Sequence, residues 1–206
     1  MKKTLFAIAA FFITSFCFAK GNIIALQAGE STFASTATDF ETFNIDPTVD
    51  LTAEYNFVFP FGLTLGVQAG VSEGATLSFT DNWKSIFIGE TQSISFAPVI
   101  GYTTDSDLES RFIQFLLFPK IEAGDSTIFG RYTDSKYTSL SDAKTKNDFS
   151  RITMNFKVVF AWGSGLTRHG FYTQFGIPLY YAIDNTKIDN LKGYTIGLGY
   201  RCNFVF

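Results

Sequence analysis

The stretch VDLTAEYNF (Val49–Phe57) alternates strictly between apolar residues at odd positions and polar residues at even positions. Successive side chains of a β-strand point to opposite sides, so this period of two predicts a strand with one apolar and one polar face. After the short segment Phe59–Gly62, the same alternation returns in Leu63–Val71. The two segments are therefore predicted to form a hairpin.

Six further segments repeat this alternation and bring the predicted strands to eight. A second hairpin is predicted from Ile152–Trp162 and Phe171–Ile183, and the chain ends in the strand Gly193–Phe206. Weaker alternation marks three other segments: Asn22–Gly29, Thr91–Tyr102 and Ser110–Gly124.

The composition excludes several classes of function. The 206 residues include 16 Lys and Arg against 19 Asp and Glu, and this net charge of −3 lacks the basic footprint of a nucleic-acid-binding protein. The chain has 25 Phe and 9 Tyr but one His, which favours strands and leaves little material for metal or histidine chemistry. We therefore predict no nucleic-acid partner, no metal and no cofactor.

The N-terminus has the pattern of a secretory signal peptide. A positively charged Met1–Lys3 precedes the apolar run Thr4–Phe16, and Cys17-Phe18-Ala19 offers small residues for cleavage. The apolar run is too short for a membrane anchor, which needs about 20 residues. We predict a signal peptide at residues 1–19 and an exported domain at 20–206, whose single cysteine cannot form an intramolecular disulfide.

Alternation alone leaves two architectures open for the exported domain. In a soluble sandwich the apolar faces pack inward, whereas in a membrane barrel they meet lipid and the polar faces line the interior. The predicted strands are about ten residues long, which suits a tilted membrane crossing. The absence of cysteine pairs in an exported chain also favours the barrel.

The connections between the predicted strands alternate in length. Three are short: Phe59–Gly62, Thr103–Glu109 and Gly163–Gly170. Three are long and polar, and a fourth of that class is shorter: Glu30–Thr48, Glu73–Glu90, Asp125–Ser150 and Asp184–Lys192. Short periplasmic turns and long outer loops predict an all-β, eight-stranded antiparallel up-and-down transmembrane barrel. Ten strands would require Ala75–Phe79 and Ser85–Ile88, or parts of Asp125–Ser150, to form additional crossings.

The C-terminal run YRCNFVF (Tyr200–Phe206) ends the chain on phenylalanine with aromatic residues at alternate positions before it. In Tyr200, Phe204 and Phe206 it resembles the assembly signal of bacterial outer-membrane barrels. Size and strand count resemble the small OmpA, OmpX, OmpW and opacity-protein type. The resemblance implies outer-membrane localisation, contact with outer-membrane lipid, and recognition by periplasmic chaperones and the barrel-assembly machinery.

The inward-facing side of such a barrel would contain two layers of polar residues. The layer nearer the periplasm comprises Glu54, Gln68, Gln114, Lys157, Gln174 and Arg201. The layer nearer the outer mouth comprises Asp50, Lys120, Glu122 and Arg151. Opposite charges can pair across the lumen, since the interior of an eight-stranded barrel is filled by its own side chains. The layers are interpreted as a polar plug or, alternatively, as a gate or solute site.

Three prolines, Pro98, Pro119 and Pro178, lie within predicted strands, where each removes a ladder hydrogen bond. They mark a bulge, a misplaced strand boundary or a local gap in the wall. The resemblance to the OmpW-like group implies that such a gap could release small hydrophobic solutes laterally.

These observations predict a narrow barrel that is structural or passes small, hydrophobic solutes. The alternative is a surface adhesin or host-contact protein acting through the outer loops, with Asp125–Ser150 as the main candidate. An enzyme is much less favoured and no catalytic residue is predicted. His169 is the only histidine, and the sequence places it in a periplasmic turn. A general base must lie within hydrogen-bond reach of the proton that it removes, and a position in this turn does not favour that role.

Overall fold

The computed structural model describes seven segments of the chain: residues 21–37, 42–80, 85–105, 108–133, 136–139, 145–189 and 191–206. The predicted signal peptide at 1–19 lies outside these segments and remains a prediction. Within them, no helix is long and apolar enough to cross a membrane.

Eight long antiparallel strands form the wall of a closed barrel. They are β1 (Gly21–Ala37), β2 (Thr42–Val58), β3 (Leu63–Thr80), β4 (Ser85–Thr103), β5 (Arg111–Thr133), β7 (Thr145–Trp162), β8 (Thr167–Ile183) and β10 (Leu191–Val205). Two short strands, β6 (Lys136–Ser139) and β9 (Thr186–Lys187), pair with β5 and β8. Each long strand pairs with its neighbours in sequence, and β1 pairs with β10 to close the ring. The predicted all-β, eight-stranded fold is confirmed.

The strands are longer than the sequence predicts, ranging from 15 residues in β10 to 23 in β5. Much of each predicted outer loop is strand: β1 continues to Ala37, β3 to Thr80 and β5 to Thr133. Ala75–Phe79 and Ser85–Ile88 extend β3 and β4, which pair with each other, so they add no crossing. In these extensions the backbone hydrogen bonds continue although the first outward-facing residues are polar. Alternation of apolar and polar residues is then interrupted and cannot reveal the full length of the strand.

The barrel has an inverted distribution of polarity. Large apolar side chains cover its outside, as at Leu51 (55% exposed), Ile94 (67%) and Phe175 (51%). Charged residues such as Glu54 and Lys157 are buried inside. A water-soluble sandwich would bury the apolar faces instead, so this arrangement decides against that alternative.

The interior is closed by apolar packing at the turn end of the barrel, where both described chain ends and the three short turns lie. Leu108, from the turn between β4 and β5, is 1% exposed and belongs to a buried cluster with Ile23 and Phe112. Arg168 of β8 links this turn to the turn between β7 and β8, because its guanidinium donates to the carbonyl oxygen of Leu108 at 2.6 Å and to that of Gly165 at 2.8 Å. The opposite end, where the predicted outer loops lie, is called the loop end.

Candidate functional site

A group of buried charges spans the middle of the barrel interior and is called here the inner cluster. Glu54 on β2 is its centre: its Oε2 lies 3.1 Å from Lys157 Nζ, and its Oε1 lies 2.9 Å from Arg201 Nη1. Gln27 and Asn56 donate to the same carboxylate at 3.0 and 2.5 Å. The carboxylate is therefore held by groups on four strands.

The ammonium group of Lys157 is surrounded by polar and aromatic side chains of the barrel interior. Its Nζ donates to Gln27 Oε1 at 3.0 Å and to Gln68 Oε1 at 3.1 Å, besides Glu54. It also lies 4.9 Å from the centroid of the Phe118 ring and 5.3 Å from that of Tyr172. These contacts replace water around an ammonium group that is 2% exposed.

Arg201 completes the inner cluster from β10. Its Nε donates to Asn203 Oδ1 at 2.5 Å, whereas among the described residues neither Nη1, which forms the ion pair with Glu54, nor Nη2 makes a hydrogen bond. Glu54 is thus the counter-charge for two fully buried cations. Removing one partner of such a pair is costly, because the remaining charge stays buried without compensation.

A second group, the outer cluster, lies nearer the loop end. Arg151 donates through Nε at 3.2 Å and Nη2 at 2.8 Å to Glu122 Oε2, and Lys120 Nζ lies 3.5 Å from the same oxygen. Ser93 donates to Glu122 Oε1 at 2.6 Å. The Arg151 guanidinium lies 4.0 Å from the centroid of the Phe33 ring, so an aromatic side chain from β1 covers the cation.

Asp50 and Asp46, both on β2, accept hydrogen bonds from hydroxyl groups in the same region of the interior. Ser72 and Thr48 donate to Asp50, and Thr76 donates to Asp46 at 2.5 Å. Both carboxylates therefore bond to residues of β2 and β3, and Asp46 also lies close enough to Arg151 and Glu122 to interact with their charges.

The structure brings most of the predicted lumen residues together in the two clusters and places others elsewhere. Glu54, Gln68, Lys157 and Arg201 meet in the inner cluster, and Lys120, Glu122 and Arg151 meet in the outer cluster. Gln114 lies closer to the turn end, where it donates to Thr103 Oγ1 at 3.0 Å. Gln174 pairs with Lys157 in register and is half-buried, but among the described residues no hydrogen bond joins it to the inner cluster.

Sequence reasoning missed several members of the two clusters. Gln27, Asn56 and Asn203 occupy inward positions of strands that the sequence predicts. The alternation of polar and apolar residues was therefore sufficient to identify them as lumen residues. Phe33 and Asp46 lie in a segment predicted as loop, Glu30–Thr48, where no alternation of hydropathy marks the inward face.

The hydrogen-bonded ladder between β4 and β5 is interrupted where two of the three prolines face each other. Phe96 pairs with Ile121 and Ile100 with Leu117, but the three pairs between them are missing from the ladder of β4 and β5. Continuity of the register places Pro98 opposite Pro119 in this gap. Neither residue has an N–H group, so neither can donate to the other strand. Pro178 lies instead at a register shift between β7 and β8.

The three residues of the predicted assembly signal lie on the outside of the barrel at the end of the chain. Tyr200 is 42% exposed, Phe206 is 62% exposed and Phe204 is half-buried. The backbone of Phe206 exchanges two hydrogen bonds with Asn22, each of 3.0 Å. The chain terminus therefore also contributes to closure between β1 and β10.

His169 lies on the outer surface at the start of β8, where its Nδ1 forms a hydrogen bond with the Tyr200 hydroxyl. The predicted turn Gly163–Gly170 therefore ends earlier, since β8 begins at Thr167. In the part of the chain that the structure describes, no three His, Cys, Asp or Glu residues are grouped so as to hold a metal ion.

No family model matches the chain, and no curated protein matches it in sequence. Among solved structures it is similar to Neisserial surface protein A (NspA), with 7% identity and a TM-score of 0.46 over 90% of this chain and 97% of that one. It is also similar to Ail, the attachment invasion locus protein of Yersinia pestis, in complex with the heparin analogue sucrose octasulfate. That match has 12% identity and a TM-score of 0.45 over 88% of this chain and 98% of Ail. The likeness concerns the fold alone.

Proposed function

We propose that the protein is an integral barrel of the bacterial outer membrane whose lumen is closed to hydrophilic solutes. Its apolar outer face supports this location, since an exposed apolar surface of this extent needs lipid around it. The chain would be exported by the signal peptide at residues 1–19 and inserted by machinery that reads Tyr200, Phe204 and Phe206. With an even number of wall strands, both ends of the barrel domain would lie in the periplasm.

The observation that carries the closed lumen is the inner cluster. Glu54, Lys157 and Arg201 come from three different strands, are 2% exposed or less, and meet in the interior. Opening a water path there would separate charges that neutralise one another. A structural role for the barrel therefore fits the geometry better than a role as a general porin.

Uptake into liposomes tests this proposal. Liposomes that contain the purified protein should admit sugars no faster than protein-free liposomes, while a general porin in parallel liposomes should admit them rapidly. Sugar uptake well above the protein-free level would contradict a closed lumen.

A second candidate function rests on the gap between Pro98 and Pro119. The gap interrupts the hydrogen-bonded ladder between β4 and β5, on a surface where Phe96, Ile100 and Ile121 are half exposed or more. Small hydrophobic solutes could pass between the lumen and the lipid at this point. Uptake of an apolar solute that falls when the two prolines are replaced, with sugar uptake unchanged, would favour this route.

Surface contact is a third candidate, favoured by the strand extensions at the loop end. Strand β6 pairs with the end of β5 and exposes Tyr137 (55%) beside Tyr132 (40%) and the exposed Lys136. Tyrosine supplies large, amphipathic contact area to a partner. Binding of the purified protein to host or matrix surfaces, reduced by Tyr137→Ser, would support an adhesive role, and equal binding by the variant would argue against this surface.

A further inference from the structure

The outer face of strands β3 and β4 changes from apolar to acidic, and back to apolar, toward the loop end. On β3 the outward positions pass from Val71, in the apolar band, through the exposed Glu73 to Leu77. On β4 the exposed Glu90 is likewise followed by the apolar Ile88. Lipid accounts for the apolar band, and the charged residues mark its outer boundary. The apolar residues beyond that boundary need another explanation.

These apolar residues form a continuous row, called here the upper row, across the extended ends of the strands. Ile45 pairs in register with Leu77, Leu77 with Ile88, and Ile88 with Gly130. The Tyr137 ring covers Gly130, because its Cε2 lies 2.7 Å from the position that a Cβ would take there. Tyr137 is 55% exposed, whereas the three aliphatic side chains are half-buried against one another. An exposed apolar surface outside the lipid is typical of an interaction site.

Between the upper row and the apolar band lie two free carboxylates, Glu73 and Glu90, called here the acidic pair. Glu73 pairs in register with Gln92, and Glu90 lies two positions further along the same face of β4. Both are exposed, and no cation among the described residues lies within ion-pair distance of either. Asp125, in the same region, differs because Lys146 Nζ lies 3.4 Å from its carboxylate. The acidic pair is therefore available to an external cation.

A cavity of about 440 Å³ adjoins Glu73 on the membrane side. Glu73 and Gln92 line its upper edge, and Val71, Ile94 and Ala123 are among the residues that line its apolar part. This volume lies within the range of about 300–1,000 Å³ that is typical of ligand pockets. The cavity can therefore receive an apolar side chain beside a cation that contacts Glu73.

We propose that this surface binds a protein segment in which lysine or arginine residues stand between apolar residues. The inference names a partner for the surface-contact role proposed above and rests on that role. The cations of the segment would pair with Glu73 and Glu90. Its apolar side chains would pack on the upper row on one side and enter the cavity on the other.

Charge complementarity selects this partner. The acidic pair would attract a basic segment, whereas a segment with carboxylates between its apolar residues would place like charges together. The apolar surfaces on both sides of the pair exclude a purely polar basic segment as the best fit, because they would stay exposed to water. The expected signature is therefore a preference for a segment that is both basic and amphipathic.

Fluorescence anisotropy can measure this preference. The folded protein in micelles of a neutral detergent is titrated into a labelled short peptide of alternating leucine and lysine. A counterpart with glutamate in place of lysine is measured in the same way, and protein-free micelles give the baseline for both peptides. The lysine peptide should show saturable binding above the baseline, and the glutamate peptide should not.

Two variants and one control locate the binding. Glu73→Gln with Glu90→Gln should weaken binding of the lysine peptide about fivefold, the effect of losing two exposed ion pairs, and should remove most of its dependence on salt. Leu77→Ser should also weaken binding about fivefold, through lost apolar contact, and should keep the salt dependence. Glu109→Gln, which neutralises an exposed carboxylate at the turn end, should change neither property. Circular dichroism should show folded barrels for all variants.

Equal binding of the two peptides, or binding no greater than that of protein-free micelles, would overturn the proposal. Binding that the double glutamine variant leaves unchanged would overturn its assignment to this surface. The surface-contact role has its own test in the binding of Tyr137→Ser to host or matrix surfaces. If that variant binds them less than wild type while the two peptides do not differ, the contact role stands and only the basic partner is wrong.

Discussion

Glu54 and Lys157 meet across the inside of the barrel, with Glu54 Oε2 3.1 Å from Lys157 Nζ, although their strands β2 and β7 are not neighbours in the sheet. The contact therefore bridges the lumen. Both residues are 2% exposed, and Arg201 approaches the same carboxylate from β10. The barrel is braced through its interior as well as by its hydrogen-bonded wall.

Replacing Glu54 by glutamine should destabilise the protein strongly. The change leaves Lys157 and Arg201 buried without a counter-charge, a situation that costs about 3–5 kcal/mol. Denaturant unfolding of the folded protein in detergent would measure the loss. Glu73→Gln is the matched control, because Glu73 is exposed on the outer face and should tolerate the change. Equal unfolding midpoints for the two variants would show that the inner cluster does not hold the barrel together.

Gly29→Ala should also be destabilising. A Cβ at Gly29 would lie 2.3 Å from the Tyr172 hydroxyl and 2.4 Å from the Leu198 carbonyl oxygen. The carbonyl belongs to the wall and cannot move freely, so we expect a loss of about 1–3 kcal/mol, as for other overpacked positions.

Gly197→Ala provides the comparison for this prediction. A Cβ there would first meet the flexible side chain of Gln174 at 3.0 Å, with Glu30 carbonyl oxygen at 3.2 Å, so the loss should be smaller. Unfolding midpoints measured under the same conditions would rank the two variants. A greater loss at Gly197 would contradict the close approach described at Gly29.

The interrupted hydrogen-bonded ladder between β4 and β5 should become continuous when both facing prolines are replaced by alanine. Pro98→Ala with Pro119→Ala supplies two N–H groups at facing positions, and unsatisfied backbone groups are costly in lipid. We expect both new amides to be protected from hydrogen exchange and the double variant to be more stable. Pro60→Ala, in the turn after β2, is the control. Fast exchange at positions 98 and 119 would show that the ladder is interrupted there for another reason.

Deleting Phe206 should slow membrane insertion and lower its yield in cells. The deletion removes the terminal residue of the predicted assembly signal together with its two hydrogen bonds to Asn22. Phe61→Ala, which removes an aromatic ring that is 68% exposed in a turn, should insert normally. The assembly role of Phe206 would be wrong if its deletion left both rate and yield unchanged.

The sequence predicted the wall and its two faces well, because lipid and lumen impose opposite demands on alternate residues. Val49–Phe57 shows this in nine residues, with Leu51 outside and Glu54 inside. Beyond the apolar band this contrast ends, so the extension of β1 to Ala37 and the inward positions of Phe33 and Asp46 could not be identified. Which side chains meet inside the lumen depends on the stagger of the strands and on how far each side chain extends, and the sequence pattern gives neither. Gln114 therefore bonds near the turn end, although it was assigned to the layer of Glu54.

Single-channel recording in planar bilayers tests closure of the lumen most directly. The wild-type protein should show no large, stable pore, because the inner cluster and the packed residues around Leu108 fill the interior. The triple variant Glu54→Ala, Lys157→Ala and Arg201→Ala, if it folds, should conduct more than wild type. A large, steady conductance from the wild-type protein, together with passage of sugars, would contradict a closed barrel.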